Sequence, residues 1–365
     1  MRGKTSFLAL TLVVVMVALA SPATAGPLDG FRSSFPLGWY DSVERPDRLT
    51  QFQQEGIDTV VPYNVDDIDE KAYLDRALVS GVGVMLEIDR TWVRKSDLGR
   101  IRSFVARFKS HPAVMGWHLV DEPTIGSEKV SPSQAREAYQ AVRSVDPTHR
   151  IAMVFGIYED ARPFVGAMDV MMFDAYPCVA KRPEFSGLPK WWERIKNRAK
   201  IGREVGSYIP VLQGFGEDAQ GRNFLGKRLP TKAESRYMAF ASIVAGADGL
   251  VYWTRYRSRS DWVRSVLNPL ISELRQLRPA YERGPVPGVQ VAASSVTASL
   301  FRDAGDGSHV LIAVHHGPGN VVAGLSVGSS LLGRQAFEVR NGGARLADIG
   351  KDVFGPYEVR VYRFA

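Results

Sequence analysis

The chain has 365 residues, of which 45% are hydrophobic, 10% aromatic and 23% charged, with a formal net charge of +7. That balance excludes a wholly disordered chain and a fibrous repeat. The single cysteine, Cys178, excludes an internal disulfide and a Cys-based metal cluster.

Residues 1–25 read as a leader. Arg2 and Lys4 open it, residues 7–20 are apolar apart from Thr11, and Ala23-Thr24-Ala25 forms a small-residue cleavage site. Cutting after Ala25 is expected to deliver a secreted or periplasmic protein. No later run is long and apolar enough for a membrane span. The remaining 340 residues carry a net charge of about +5, spread along the chain, with Arg255, Arg257 and Arg259 as the densest run. This is the pattern of a solvated basic surface, not of a nucleic-acid footprint.

From residue 35 to 284 strand and helix patterns alternate. Eight strands are expected at 35–40, 57–63, 83–89, 114–122, 151–156, 170–176, 209–215 and 249–256. Most are short apolar runs without polar alternation, as strands buried on both faces require. Amphipathic segments lie at 46–55, 71–80, 98–109, 133–144, 189–201, 232–245 and 262–281, with Asp69, Ser96, Ser131 and Thr231 as expected N-caps. The number and spacing fit an α/β fold, a (β/α)8 TIM barrel, over residues 26–284. A nucleotide-binding doubly wound sheet wants GxGxxG after its first strand. Gly81-Val82-Gly83 is too short and precedes a strand, so no cofactor is expected. From 285 to 365 the helical period disappears. Short alternating runs at 289–293, 296–302, 310–315, 335–340 and 358–364 predict a small antiparallel β-sandwich.

In such a barrel the chemistry sits at the C-terminal strand ends. Here those ends are rich in carboxylates and aromatics: Tyr40-Asp41, Tyr63-Asn64, Glu87-Ile88-Asp89, Asp121-Glu122-Pro123, Asp174-Ala175-Tyr176, Gln213 with Glu217 after it, and Trp253-Thr254-Arg255. Aromatic faces pack on sugar C–H surfaces and carboxylates accept hydroxyl hydrogen bonds. Two carboxyl groups across a glycosidic bond can supply the acid and the base or nucleophile. Any single strand-end carboxylate is as well explained as a helix cap; the set is harder to explain that way. The six histidines show no HExxH spacing, and His315-His316 point to opposite faces of a strand, so no metal is expected.

The segment Gly116-Trp117-His118-Leu119-Val120-Asp121-Glu122-Pro123 resembles the strand-four signature of (β/α)8-barrel glycoside hydrolases. Gly246-Ala247-Asp248-Gly249-Leu250-Val251-Tyr252-Trp253 resembles their strand eight. Residues 354–362 resemble the closing strand of their C-terminal β-domains. The resemblance implies that Glu122 is the general acid and that Trp253 floors a sugar subsite. Two departures stand out. Asp121 replaces the usual Asn, and Gln213 occupies the place of the strand-seven nucleophilic Glu. A glutamine cannot form a glycosyl ester, so either another carboxylate serves, or the enzyme inverts, or the protein is a non-catalytic carbohydrate-binding barrel for a surface polysaccharide.

Strand parity predicts that Glu122, Val120 and His118 face the barrel axis while Asp121 turns away. His118 then lies about 13 Å below Glu122 at ~3.3 Å per residue, as a satisfied core histidine. Asp174 ranks first as second carboxylate, ahead of Glu87, Asp89 and Glu217. Tyr40, Tyr63, Asp121, Tyr176, Gln213 and Trp253 are expected to contact a carbohydrate. Arg255 either neutralises an acidic sugar or pairs with a local carboxylate. Trp191-Trp192 reads chiefly as packing.

Overall fold

The computed structural model describes residues 35–365 except 64–68, 158, 332, 341–342 and 365. The leader and Asn64 therefore lie outside the described residues.

Eight parallel strands close into a barrel: β1 (Leu37–Ser42), β2 (Thr59–Tyr63), β3 (Gly83–Glu87), β4 (Val114–Asp121), β5 (Arg150–Phe155), β6 (Val170–Asp174), β7 (Tyr208–Gln213) and β8 (Leu250–Trp253). Closure is made by β8 on β1, with Leu37 opposite Leu250 and Trp39 opposite Tyr252. The helices are α1 (Arg48–Glu55), α2 (Glu70–Val79), α3 (Arg90–Arg94), α4 (Leu98–Phe108), α5 (Pro132–Val145), α6 (Leu188–Val205), α7 (Lys232–Val244) and α8 (Asn268–Tyr281). Between β5 and β6 the connection is a short 3-10 turn at Arg162–Phe164. The caps at Asp69, Ser131 and Thr231 form as expected, the last two as full capping boxes. The expected cap at Ser96 is one residue early. Asp97 accepts the Arg100 amide instead, while Ser96 takes a left-handed backbone.

The strands carry two apolar faces because the barrel has two cores. Tyr40, Val61, Met85, Met115, Ala152, Val154, Met172, Val211 and Val251 fill the interior. Their outward neighbours, such as Trp39, Val60, Leu86, Trp117, Met153, Phe173 and Leu212, pack under the helices. This is why polar alternation is missing from the sequence.

The C-terminal part is antiparallel. A five-stranded sheet in the order β10 (Val296–Arg302), β11 (His309–His315), β17 (Val359–Phe364), β14 (Ala336–Arg340), β15 (Gly343–Ala347) forms one layer. Two ribbons form the other: β12 (Val321–Ala323) with β16 (Asp352–Phe354), and β13 (Leu325–Val327) with β9 (Val289–Val291). The main sheet is covered on both sides. Leu300, Leu311, Ala313, Tyr362 and Phe364 face the ribbons. Phe301, Val310, Ile312, Val314, Val359 and Val361 join the barrel's outer core. Arg236 of α7 fastens the joint, pairing with Glu273 at 2.7 Å and donating to the Val359 carbonyl at 2.7 Å. His316 stacks on Trp192 at 3.9 Å and bonds the Tyr237 hydroxyl at 2.8 Å. Among the described residues no helix is long and apolar enough to cross a membrane.

A chain ended at Gly284 would leave this apolar face of α7 and α8 in water. It is expected to aggregate or to lose its cooperative thermal transition. A soluble truncated barrel melting like the intact protein would show that the sheet only decorates it.

Candidate active site

The fourth strand does not keep its parity. His118 pairs with Ala152, but Val120 pairs with Met153, so Leu119 is a surplus residue without its own partner on β5. This is a β-bulge, which shifts all later side chains to the other face. His118 faces the interior, with its ring edge-on to Tyr40 at 6.1 Å. Past the bulge it is Asp121 that lines the interior, opposite Val154. The parity expectation that Asp121 turns away is therefore corrected. Glu122 comes next, at the strand end with φ of 42°, and its amide donates to the Val154 carbonyl at 3.0 Å. His118 is buried as expected, yet neither ring nitrogen has a partner among the described residues. Burial depresses its pKa to about 4, so it is neutral near pH 7.

A cavity of about 150 Å³ opens at the C-terminal end of the barrel, lined by Tyr40, Tyr63, Asp121, Glu122, Asp174, Tyr176 and Trp253 among others. A wider groove of about 570 Å³ adjoins it, and Glu122, Asp174, Tyr176 and Leu225 line both. Together they fall within the range of roughly 300–1,000 Å³ usual for ligand sites. The structure thus brings the first-ranked carboxylates and four of the expected aromatics into one place.

Crowding sets the charge state. Burial, then Glu122, pushes the Asp121 carboxyl up to about 7, against the pull of Arg90. Burial, then Glu122 and Asp121, holds Asp174 well above the ordinary carboxylate range. Its Oδ1 is buried without a partner among the described residues. Glu122 is raised by burial and by Glu159. A raised proton affinity is the direction in which a general acid is tuned.

The aromatic wall is mutually braced. Tyr176 stacks on Trp253 with centroids 5.4 Å apart and an interplanar angle of 19°, and Tyr40 lies 5.1 Å from Tyr63. The Trp253 indole donates to the Tyr63 hydroxyl.

Several expected contacts lie elsewhere. Asp89 caps α3 through the Thr91 amide at 2.6 Å. Glu217 accepts the Leu229 amide at 2.9 Å in the loop after β7. Arg255 is buried and reaches Glu55 at 3.5 Å, so of its two expected roles it takes the local pairing. Glu87 ends β3 beside His118 and is close enough to Tyr40 to raise its pKa, but it lines neither chamber. Trp191 is buried with one edge on the groove, and Trp192 packs against the β-domain.

Gln213 is a strut. Its Nε2 donates to the carbonyls of Cys178, Phe215 and Arg228 at 3.2, 3.1 and 2.9 Å, and its Oε1 accepts the Cys178 amide at 2.8 Å. It ties the loop after β6 to the loop after β7 and lines neither chamber.

Three supporting residues carry little or no signal in the sequence. Arg90 donates to the carbonyls of Asp121, Glu122 and Glu128, clamping the backbone that presents the carboxyls. Glu159 accepts the Thr124 amide and hydroxyl and the Gly156 amide, joining the ends of β4 and β5. A Cβ on Gly156 would sit 2.4 Å from Glu122 Oε1, so any other residue there would displace the Glu122 carboxyl. The Glu159-Asp160 pair in the sequence signals a polar strand-end loop, and nothing in the sequence marks Arg90.

The fold, a closed (β/α)8 barrel followed by antiparallel sheets, is similar to that of several solved glycoside hydrolases. The β-L-arabinopyranosidase of glycoside hydrolase family 27 from Geobacillus stearothermophilus is similar at TM-score 0.59 and 13% identity, covering 92% of this chain and 97% of that one. A family 5 glycoside hydrolase from Bacteroides vulgatus aligns at TM-score 0.58 and 13% identity over 92% of each chain. An α-amylase from Geobacillus thermoleovorans aligns at TM-score 0.52 and 11% identity, over 88% and 91%. No protein-family model matches the chain, and no curated protein matches it in sequence.

If Gln213 is a strut, Gln213→Glu cannot install a nucleophile. An ionised carboxylate there would face three carbonyls with nothing to donate. The variant is expected to lose about 2–4 kcal/mol of stability, the scale of breaking a buried polar network. Denaturant unfolding checks this, and wild-type stability would contradict the strut.

Proposed function

We propose that this protein is an exported glycoside hydrolase acting on a poly- or oligosaccharide. The observation that carries the reading is the meeting of Asp121, Glu122 and Asp174, all with raised proton affinity, inside one aromatic-walled cavity. Export rests on the leader pattern of residues 1–25.

Glu122 and Asp174 line both chambers, so a bond held between the chambers lies between them. The sugar ring occupies the inner cavity against Trp253 and Tyr176, and the leaving group lies in the groove. Glu122 gives its proton to the glycosidic oxygen as the bond to the anomeric carbon breaks. In the reactive form the proton sits on Glu122 and Asp174 is the ionised member of the crowded set; it either takes a proton from the attacking water or bonds the anomeric carbon before water replaces it. Asp121, raised to about 7, donates to a sugar hydroxyl in its protonated form. Gln213 is bonded as a strut, so in this reading the second carboxyl is Asp174 and not a strand-seven residue.

Glu122→Gln is expected to reduce turnover roughly a hundredfold or more with folding intact, the usual effect of losing a general acid. A screen of polysaccharides and aryl glycosides, run on wild type and variant recovered from outside the cytoplasm, tests this. Undiminished hydrolysis by the variant would remove Glu122 from the mechanism. Binding without product release from any glycan would leave only a carbohydrate-binding barrel. Wild type held inside the cell would remove export.

The raised Asp121 carboxyl also affects stability. Its folded-state pKa of about 7 exceeds the ordinary 3.8, so the folded state binds this proton more tightly. The stabilisation is present below the lower value and is lost as pH rises toward the upper one. Asp121→Asn should flatten the fall in melting temperature between about pH 4 and pH 8. An unchanged slope in thermal melts would mean that Asp121 does not carry the coupling.

A further inference from the structure

The outer groove adds cations to the carboxyls that it shares with the cavity it adjoins. Lys190 and Arg194, one turn apart on α6, line it together with Lys227 from the loop after β7. Lys227 Nζ donates to the Tyr176 carbonyl at 2.6 Å, which fixes the ammonium beside a residue shared by both chambers. Arg194 is near enough to push the Lys227 pKa down, after burial.

These cations have no evident counter-ion among the described residues. The acids nearest in the chain are engaged elsewhere: Glu193 with Lys196, Glu234 with Arg228, and Glu184 with the Thr231 hydroxyl. Glu122 and Asp174 also line the groove, but burial favours their neutral forms, so they offset these cations less than ionised carboxylates would. The same wall holds Ser186 and Gly187, where the 18-residue α6 begins without a side-chain cap. A helix start adds partial positive charge. Like charges gathered without a partner repel, and a bound anion relieves that repulsion.

We propose that this groove binds the anionic group of an acidic glycan, a uronic-acid carboxylate or a sulfate ester, on the leaving-group side of the cleaved bond. The inference rests on the glycosidase reading for its sense of direction, and it names the substrate class. Arg255, the cation first associated with an acidic sugar, is replaced in that role by Lys190, Arg194 and Lys227.

Dextran, carboxymethyl-dextran and dextran sulfate share one backbone and differ in charge, so they serve as probes in calorimetric titrations of the full chain. At least one anionic polymer should bind more tightly than dextran, and the one preferred identifies carboxylate or sulfate. Lys190→Gln combined with Arg194→Gln should weaken that binding roughly tenfold or more, the scale of losing hydrogen bonds to a charged group. Added salt should weaken the wild type more than this variant. Arg102→Gln combined with Lys200→Gln removes the same charge from exposed helix positions and should change little. No preference for either anionic polymer would overturn the proposal, as would an undiminished groove variant or an equal loss in the control. Because binding is the readout, a missing hydrolytic activity would sink the glycosidase reading alone. Hydrolysis confined to neutral glycans and indifferent to the groove variant would sink this inference alone.

Discussion

Between His118 and Val120 the fourth strand carries one residue more than the strand it pairs with. A β-strand alternates faces with a period of two, so one surplus residue inverts every later side chain. Below the bulge, His118 points into the barrel. Above it, Asp121 does so, and Glu122 is released at the rim with a left-handed backbone over Gly156. Without the bulge Asp121 would point out under the helices. Two consecutive carboxyls reach the same cavity only because the strand ends here. Arg90 holds the two carbonyls at this point.

That placement has an electrostatic consequence. Burial raises the proton affinity of Asp121, Glu122 and Asp174; Glu122 adds to that of Asp121 and Asp174, and Glu159 to that of Glu122. Carboxyls crowded in this way cannot all ionise at neutral pH. The molecule tolerates the crowding because the surrounding backbone is strongly tied. Glu159 joins the ends of β4 and β5, and Gln213 joins the loops after β6 and β7. The aromatic side of the cavity needs no such ties, since Tyr176, Trp253 and Tyr63 brace one another directly.

The same separation of roles appears at larger scale. Among the described residues, the charged groups of the inner cavity are carboxyls alone, the outer groove adds three cations, and Glu122, Asp174, Tyr176 and Leu225 stand at their border. The groove wall is α6, and α6 is fixed from behind by Trp192 stacked on His316 of the β-domain. The C-terminal sheet therefore supports the helix that shapes the groove, although it contributes no residue to either chamber.

Much of this was legible in the sequence. Eight apolar strand runs, the spacing between them and the turn-rich tail determine a barrel followed by antiparallel strands, because burial on two faces leaves a pattern that needs no partner to read. The Asp-Glu-Pro of strand four and the Tyr and Trp at other strand ends mark the cavity for the same reason: barrel closure brings every strand's C-terminal end together. Tertiary structure alone decided which carboxyl faces inward, because a bulge is a matter of pairing between strands and Leu119 looks like any other apolar residue. It decided that Gln213 braces loops, since two of its three partner residues, Cys178 and Arg228, come from distant turns. It also separated Arg255, neutralised by Glu55, from Lys190, Arg194 and Lys227. Charge is local in sequence, but whether it is paired depends on which elements pack together.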